Sequence, residues 1–219
     1  MENMSRKERE RAARKELIID AAEQVISEQG FENATMDEIA ERAEVGKGTL
    51  YLYFKNKAAI YLAICERGSR SLNQQMSKVL ALDITGLEMV EKIGGTYLNF
   101  IRSSPLYFHA FNYYESLLDD NILTDQIMAK KCEENAGEAM AYITRAIQIG
   151  MQDGSIDDSY NPKELGVIIW GASKGIIHMA FLKQKGSQFS FLDEVNISLE
   201  SMVQNFIQLL GSGMGVNDR

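Results

Sequence analysis

Proline is scarce: the chain has two in 219 residues, Pro105 and Pro162. Almost nothing therefore interrupts a long helix. A sustained run of alternating β-branched residues is also missing, so the chain reads as all-α. Cysteine is equally sparse. Cys65 and Cys132 lie far apart in helical patterns, which fits free buried thiols in a reducing cytoplasm better than a disulfide framework. The two histidines, His109 and His178, have no metal-ligand spacing, so no metal site is expected, and each is a satisfied or exposed side chain or a polar handle for a ligand. No GxSxG elbow, P-loop, HExxH or CxxC occurs, which argues against a hydrolase or transferase and leaves no expected catalytic residue or cofactor. The N-terminus is charged and lacks an apolar core region, so no signal peptide is expected and the location reads as cytoplasmic. One stretch, Gly166 to Leu182, approaches a membrane span and holds the pair Gly171 and Gly175. It is short for a bilayer and Lys174 and His178 interrupt it, so it reads as a closely packed helix with no membrane partner.

Net charge is −8, which at first sight argues against nucleic acid. Its distribution reverses the argument. From Val45 to Lys57 there are three lysines and no acid. Ser5 to Lys15 carries Arg6, Lys7, Arg9, Arg11, Arg14 and Lys15 against Glu8 and Glu10. That segment reads as a mobile basic arm able to follow a phosphate backbone or enter a minor groove. The acidic remainder would discourage indiscriminate coating of DNA.

The stretch Thr35 to Lys57, TMDEIAERAEVGKGTLYLYFKNK, carries the most information. Thr35 and Glu38 have capping-box spacing. Ile39, Ala40 and Ala43 form a small apolar stripe that lets a second helix cross closely. Glu44, Val45 and Gly46 break the pattern, with Gly46 suited to an unusual turn conformation. Leu50 and Phe54 supply the inward face of the second helix, leaving Lys47, Gly48, Thr49, Tyr51 and Tyr53 for the outer face and ends. Asn56 caps the next helix, and Lys57 at its start suits a phosphate. Upstream, Leu17, Ala21 and Val25 repeat every four residues, as do Ile18, Ala22 and Ile26, making an amphipathic helix that Gly30 ends and Phe31 folds back upon. Together these predict a helix-turn-helix.

The remainder reads as helices over about 57–80, 86–102, 105–118, 123–151, 162–185 and 193–210. Asn161, Pro162 and Glu164 form an N-cap, a first-turn proline and a capping acid. The glycine-rich tail from Gly211 reads as frayed.

Residues from about Ile18 to Lys57 resemble the N-terminal domain of the TetR family of bacterial transcriptional regulators. The matching run is TMDEIAERAEVGKGTLYLYFKNK, preceded by Gly30–Phe31, with weaker echoes in DGSI (Asp153 to Ile156) and WGASKGII (Trp170 to Ile177). The resemblance implies an arm and DNA-binding domain over 1–56 and a helical effector-binding and dimerisation domain over 57–219. It also implies that Thr35, Tyr53 and Lys57 contact phosphate, Lys47 and Gly48 approach bases, and Thr49 and Tyr51 contact base or phosphate. Two positions depart from the family: Glu44 stands where the turn often has glycine, and Leu52 where a polar or basic residue is usual.

The family binds small effectors between its helices. Here Tyr107, Phe108, Phe111, Tyr113 and Tyr114 form an aromatic cluster. With Tyr97, Phe100, Met128, Met140 and Trp170 it reads either as the lining of an apolar effector cavity or as ordinary core. The family also places its homodimer contacts on the last two long helices, which spaces two recognition helices about one DNA turn, roughly 34 Å, apart. The expected function is a repressor released from double-stranded operator DNA by a largely apolar or aromatic effector. The other reading is a helical ligand-binding or interaction module that no longer reads DNA, which Glu44 and Leu52 keep open.

Overall fold

The computed structural model describes residues 5–119, 125–184, 194 and 198–215. Among the described residues there are nine helices and no strand. They are α1 (Arg6–Asn33), α2 (Met36–Arg42), α3 (Lys47–Tyr53), α4 (Lys57–Val79), α5 (Gly86–Ser103), α6 (Pro105–Asp119), α7 (Gln126–Asp153), α8 (Pro162–Gln184) and α9 (Leu199–Met214). The expected starts of two helices, near residues 123 and 193, lie outside the described residues. Two compact units result: Met1–Arg70 with Ser104–Asn135, and Ser71–Ser103 with Ala136–Arg219. Helices α4 and α7 each carry residues of both.

In the first unit, α1 buries Ile18, Ile19, Ala21, Ala22, Val25 and Ile26. Leu17, expected on the inward face, is 48% exposed, and Ile19 takes its place. One residue is about 100° around a helix, so a four-residue repeat alone leaves the centre of the buried face ambiguous. The basic segment is not a separate arm but the opening of α1. Ser5 and Glu8 form a reciprocal capping box, with the Glu8 amide donating to Ser5 Oγ at 3.3 Å and the Ser5 amide to Glu8 Oε2 at 2.8 Å. Those bonds hold the Glu8 carboxyl below its usual value. Arg6 and Glu10 add a pair one turn apart.

Gly30 interrupts α1 at φ 81°, a conformation that favours glycine. Phe31 beyond it packs on Tyr61, ring centroids 4.3 Å apart, and on Tyr113 at 4.8 Å. Burial pushes the Tyr61 hydroxyl up to about 12. Arg67 on α4 binds back to α1, meeting Asp20 at 2.5 Å and Glu23 at 2.6 Å, with Glu16 at 3.4 Å. Burial alone would lower the guanidinium, but hydrogen bonds to Glu23 and Asp20 outweigh it and push it up. Cys65 and Cys132 are free and buried in the same unit. A hydrogen bond with Cys132 and burial both raise the Cys65 thiol, which makes it chemically quiet.

In the second unit, Met89, Val90 and Ile93 of α5 share a core with Ile143, Ala146 and Ile147 of α7 and Leu165 and Ile169 of α8. Helix α9 packs on α5 and α8. Its Ser198–Ser201 capping box opens it, and it continues through the glycines expected to fray. Met214 is buried, its carbonyl accepts from the Asp157 amide at 2.9 Å, and the Tyr160 hydroxyl donates to the Gly213 carbonyl at 3.2 Å. These bonds supply the partners that a glycine-rich helix end otherwise lacks.

The tightest approach is between α5 and α7. A Cβ on Gly86 would lie 1.9 Å from the Gly150 nitrogen. The Gly86 amide donates to Asp153 Oδ2 at 2.7 Å, fixing the start of α5 there. Gly86→Ala is therefore expected to destabilise the protein by about 3 kcal/mol, the upper end of ordinary overpacking. Urea denaturation measures this, and a loss below about 1 kcal/mol would show that α5 can withdraw from α7 at little cost.

Candidate functional site

Helices α1, α2 and α3 assemble around buried Ile18, Ile39, Ala40, Ala43, Leu50 and Phe54. Thr35 caps α2 as its spacing predicts. Its hydroxyl accepts from the Glu38 amide at 3.2 Å and donates to Glu38 Oε2 at 2.7 Å, which holds the Glu38 carboxyl low. The turn differs from expectation at one residue. Gly46 has φ −65°, an ordinary value, and the left-handed position is Glu44 at φ 52°. A side chain there costs about 1–2 kcal/mol relative to the right-handed region. The Glu44 amide donates to Glu41 O and the Val45 amide to Ala40 O, and these bonds hold the turn.

With Leu50 and Phe54 buried, the opposite side of α3 faces outward. Lys47, Gly48 and Tyr51 are exposed, and Thr49 and Tyr53 are half-buried at its flanks. Nothing lies within 4 Å of where a Gly48 Cβ would sit, so another molecule can approach that backbone closely. Thr35, the cap of α2, is exposed as well. Leu52, at the position where the family usually has a polar side chain, is 78% exposed.

Two lysines are engaged in ways the spacing did not predict. Lys47 Nζ lies 2.6 Å from Asp37 Oδ2, an exposed ion pair between α3 and α2. Lys57 Nζ donates to the carbonyls of Phe31 at 2.5 Å and Glu32 at 2.9 Å, and lies 4.6 Å from the Phe31 ring centroid. It closes the end of α1, and its third N–H is the one left for another acceptor.

The nine expected effector-lining residues fall into different units. Tyr107, Phe108, Phe111, Tyr114 and Met128 belong to the first, where Phe108, Tyr114 and Met128 are buried. Tyr107 packs on Gly68, and burial, then Glu23, pushes its hydroxyl up to about 12. Tyr97, Phe100, Met140 and Trp170 belong to the second unit. There Tyr97 and Trp170 line a small, partly open cavity of about 60 Å³ between α4, α5, α7 and α8, with Leu72, Met76, Ile93 and Ile143. Phe100 is buried, and Met140 packs under Gly166 of α8. The aliphatic lining carries no distinguishing sequence signal, because a cavity wall and a core face share one periodicity. Among the described residues no group of histidine, cysteine and acidic side chains could hold a metal.

The pattern of the bacterial regulatory proteins of the tetR family matches residues 18–64, which span α1 from Ile18, the turn, α3 and the start of α4. Residues 18–64 are thus a TetR-family DNA-binding segment. The chain is 27% identical over 143 residues to the uncharacterized HTH-type transcriptional regulator YhgD of Bacillus subtilis, covering 65% of this chain and 72% of that protein. It is 37% identical over 71 residues to the fatty acid metabolism regulator protein of the same organism, covering 32% and 37%. In fold it resembles FadR from Bacillus subtilis in complex with stearoyl-CoA, at a TM-score of 0.69 and 20% identity, covering 90% of this chain and 98% of that one. It is a helix-turn-helix transcriptional regulator and not an enzyme.

The Lys47–Asp37 pair leads to a specific expectation if the outward face of α3 meets DNA. Asp37→Asn removes a negative charge from beside the lysine. Operator affinity is expected to rise several-fold in a gel shift, while thermal stability changes by less than about 1 kcal/mol, as for other exposed pairs. Unchanged affinity would place Lys47 away from the duplex.

Proposed function

We propose that this TetR-family regulator is a cytoplasmic, homodimeric repressor that leaves its operator when an apolar effector enters the second unit. The observation that carries the DNA reading is the division of α3, with Leu50 and Phe54 buried and Lys47, Gly48 and Tyr51 outward. A short helix with one firmly seated face presents its other face in a fixed orientation, as entry into a major groove requires. Lys47, Gly48, Thr49 and Tyr51 approach base edges and adjoining phosphates. Thr35, Tyr53 and the remaining Lys57 donor hold the backbone.

Dimerisation is assigned to α8 and α9. Helix α8 is long and apolar enough to cross a membrane by length and composition, yet it caps and packs as a helix of the second unit. Val167 and Ile168 on α8 and Leu209 on α9 are exposed. A second copy covers them without a bilayer, and the open backbone at Gly171 and Gly175 allows close approach.

For the effector, the cavity between α4, α5, α7 and α8 is favoured over the first-unit aromatic cluster. Its lining is mostly aliphatic, with the aromatic side chains of Tyr97 and Trp170 at one side. Similarity to the fatty acid metabolism regulator and to FadR with stearoyl-CoA favours a fatty-acyl effector. Lys174, whose Nζ lies 5.7 Å from the Trp170 ring centroid, provides a cation for an anionic head group. Occupancy beside Leu72 and Met76 biases the position of α4. Helix α4 is tied to α1 through Arg67, so the spacing of the two α3 helices shifts with it. Effector and operator then weaken each other's binding by the same factor.

A gel shift with DNA flanking the protein's own gene tests both parts. Wild type is expected to bind with an affinity that falls steeply with salt. Stearoyl-CoA is expected to release the DNA. The double variant Lys47→Ala, Tyr51→Ala is expected to lose specific binding, with the dimer intact by sedimentation. Undiminished affinity of that variant would reject the assigned surface and favour a module that no longer reads DNA through α3.

A further inference from the structure

Leu50 and Phe54 fix the inward side of α3, and the side chain turned farthest from them is Leu52. It follows Leu50 by two residues, about 200° around the helix. It is 78% exposed, the highest value of any large hydrophobic side chain among the described residues. Gly48 precedes it by four residues and lies on the same outward stripe. Lys47 and Tyr51, also four apart, flank that stripe on one side, and Thr49 and Tyr53 flank it on the other. The outermost line of α3 is therefore Gly48 followed by Leu52, with no hydrogen-bonding side chain on it and polar side chains along both edges. Nothing within 4 Å occupies the space a Gly48 Cβ would fill. Leu52 also borders an open cleft of about 540 Å³ that the end of α3 and the start of α4 form with Asp125, Gln126 and Ile127 of the same unit, and these leave it uncovered. A scattered exposed leucine is ordinary on a protein surface. A leucine at the crest of a face that otherwise offers donors is a feature of that face.

We infer that Leu52 is a specificity-determining residue of the DNA surface and reads a thymine through its C5 methyl group in the major groove. This rests on the DNA reading above and adds a base preference to it. The chemistry follows from what a leucine can gain there. A phosphate oxygen offers an isobutyl group nothing. The edges of guanine and adenine present acceptors and donors, and pressing leucine against them removes water without supplying a partner. Cytosine presents its amino donor and lacks the methyl. The thymine methyl is the one apolar group on a major-groove base edge, and contact with it buries apolar surface on both partners. Leucine is short, so it reaches a base only where the helix backbone comes close. The open backbone at Gly48, one turn earlier on the same stripe, allows that approach. Lys47, Thr49, Tyr51 and Tyr53 then meet polar groups to either side, and Leu52 takes the apolar position between them.

The test uses the full chain and the segment of DNA flanking its own gene that it protects from nuclease. That segment is synthesised as duplexes in which each thymine is replaced in turn by deoxyuridine, which pairs as thymine does and lacks only the methyl. Wild type is expected to lose affinity about fourfold at a particular position, roughly what the burial of one methyl group contributes. Leu52→Ala is expected to bind the all-thymine duplex about fourfold or more weakly and to show no further loss at that position, so that the two losses do not add. Leu52→Met keeps an apolar side chain of similar volume and is expected to retain the loss at the same position. Alanine and methionine both favour helix at this exposed site, so the fold is kept. If every deoxyuridine effect persists in Leu52→Ala, another residue reads the methyl and the inference is refuted. It is equally refuted if no position responds in wild type, or if Leu52→Ala binds as wild type does, the result expected should the cleft beside Leu52 serve some other partner. In each of these cases, loss of binding in Lys47→Ala, Tyr51→Ala leaves the DNA reading standing. If wild type protects no segment, the DNA reading itself fails and the inference falls with it.

Discussion

The seating of Leu50 and Phe54 beneath α3 is the constraint on which the rest depends. Both side chains are buried in the core that α1 and α2 provide. Each contributes roughly 1.5–3 kcal/mol by burial, which far exceeds what a seven-residue helix gains from its own hydrogen bonds. Helix α3 exists because it is packed, and its orientation is set by that packing. The outward direction of Lys47, Gly48 and Tyr51 follows from it. Even Glu44 in a left-handed conformation is tolerated, because the flanking helices fix both ends of the turn.

Around this head the structure uses charge sparingly but firmly. Arg67, 17% exposed, faces three carboxylates of α1 from α4. A half-buried guanidinium is costly alone, and its carboxylate partners recover that cost only when α1 and α4 keep one mutual register. Lys57 supports the same register from the other end by closing α1 onto the start of α4. The aromatic triangle of Phe31, Tyr61 and Tyr113 fills the space between. Helices α1 to α3 and the beginning of α4 are thereby held as one body, a requirement if displacement of α4 is to be felt at the DNA.

Much of this was legible in the sequence where a local pattern has one physical solution. The Thr35–Glu38 box, the Asn56 cap, the Gly30 break and the inward pair Leu50 and Phe54 are all found as spacing predicted. Elsewhere several solutions shared one pattern. Six basic residues over Arg6 to Lys15 suit a mobile arm or a capped helix, and the Ser5–Glu8 capping box decides for the helix. A lysine at a helix start suits a phosphate or a neighbouring carbonyl, and Lys57 found Phe31 and Glu32 first. Aromatics drew attention to α6, yet much of the α6 cluster is packed as core. In the second unit a small cavity is lined by Leu72, Ile93, Ile143 and Ile169 together with the expected Tyr97 and Trp170. No periodicity separates an aliphatic wall facing a void from one facing another side chain, so only packing in three dimensions reveals it.

The most direct measurement of the central claim is covalent footprinting of the full chain, read by mass spectrometry with and without its promoter DNA. Lysine acylation and tyrosine modification report the two outward side chains independently. The account predicts strong DNA-dependent protection at Lys47 and Tyr51, with exposed Tyr160 unaffected. Protection confined to the basic opening of α1, or none at Lys47 and Tyr51 under conditions where DNA is bound, would contradict it.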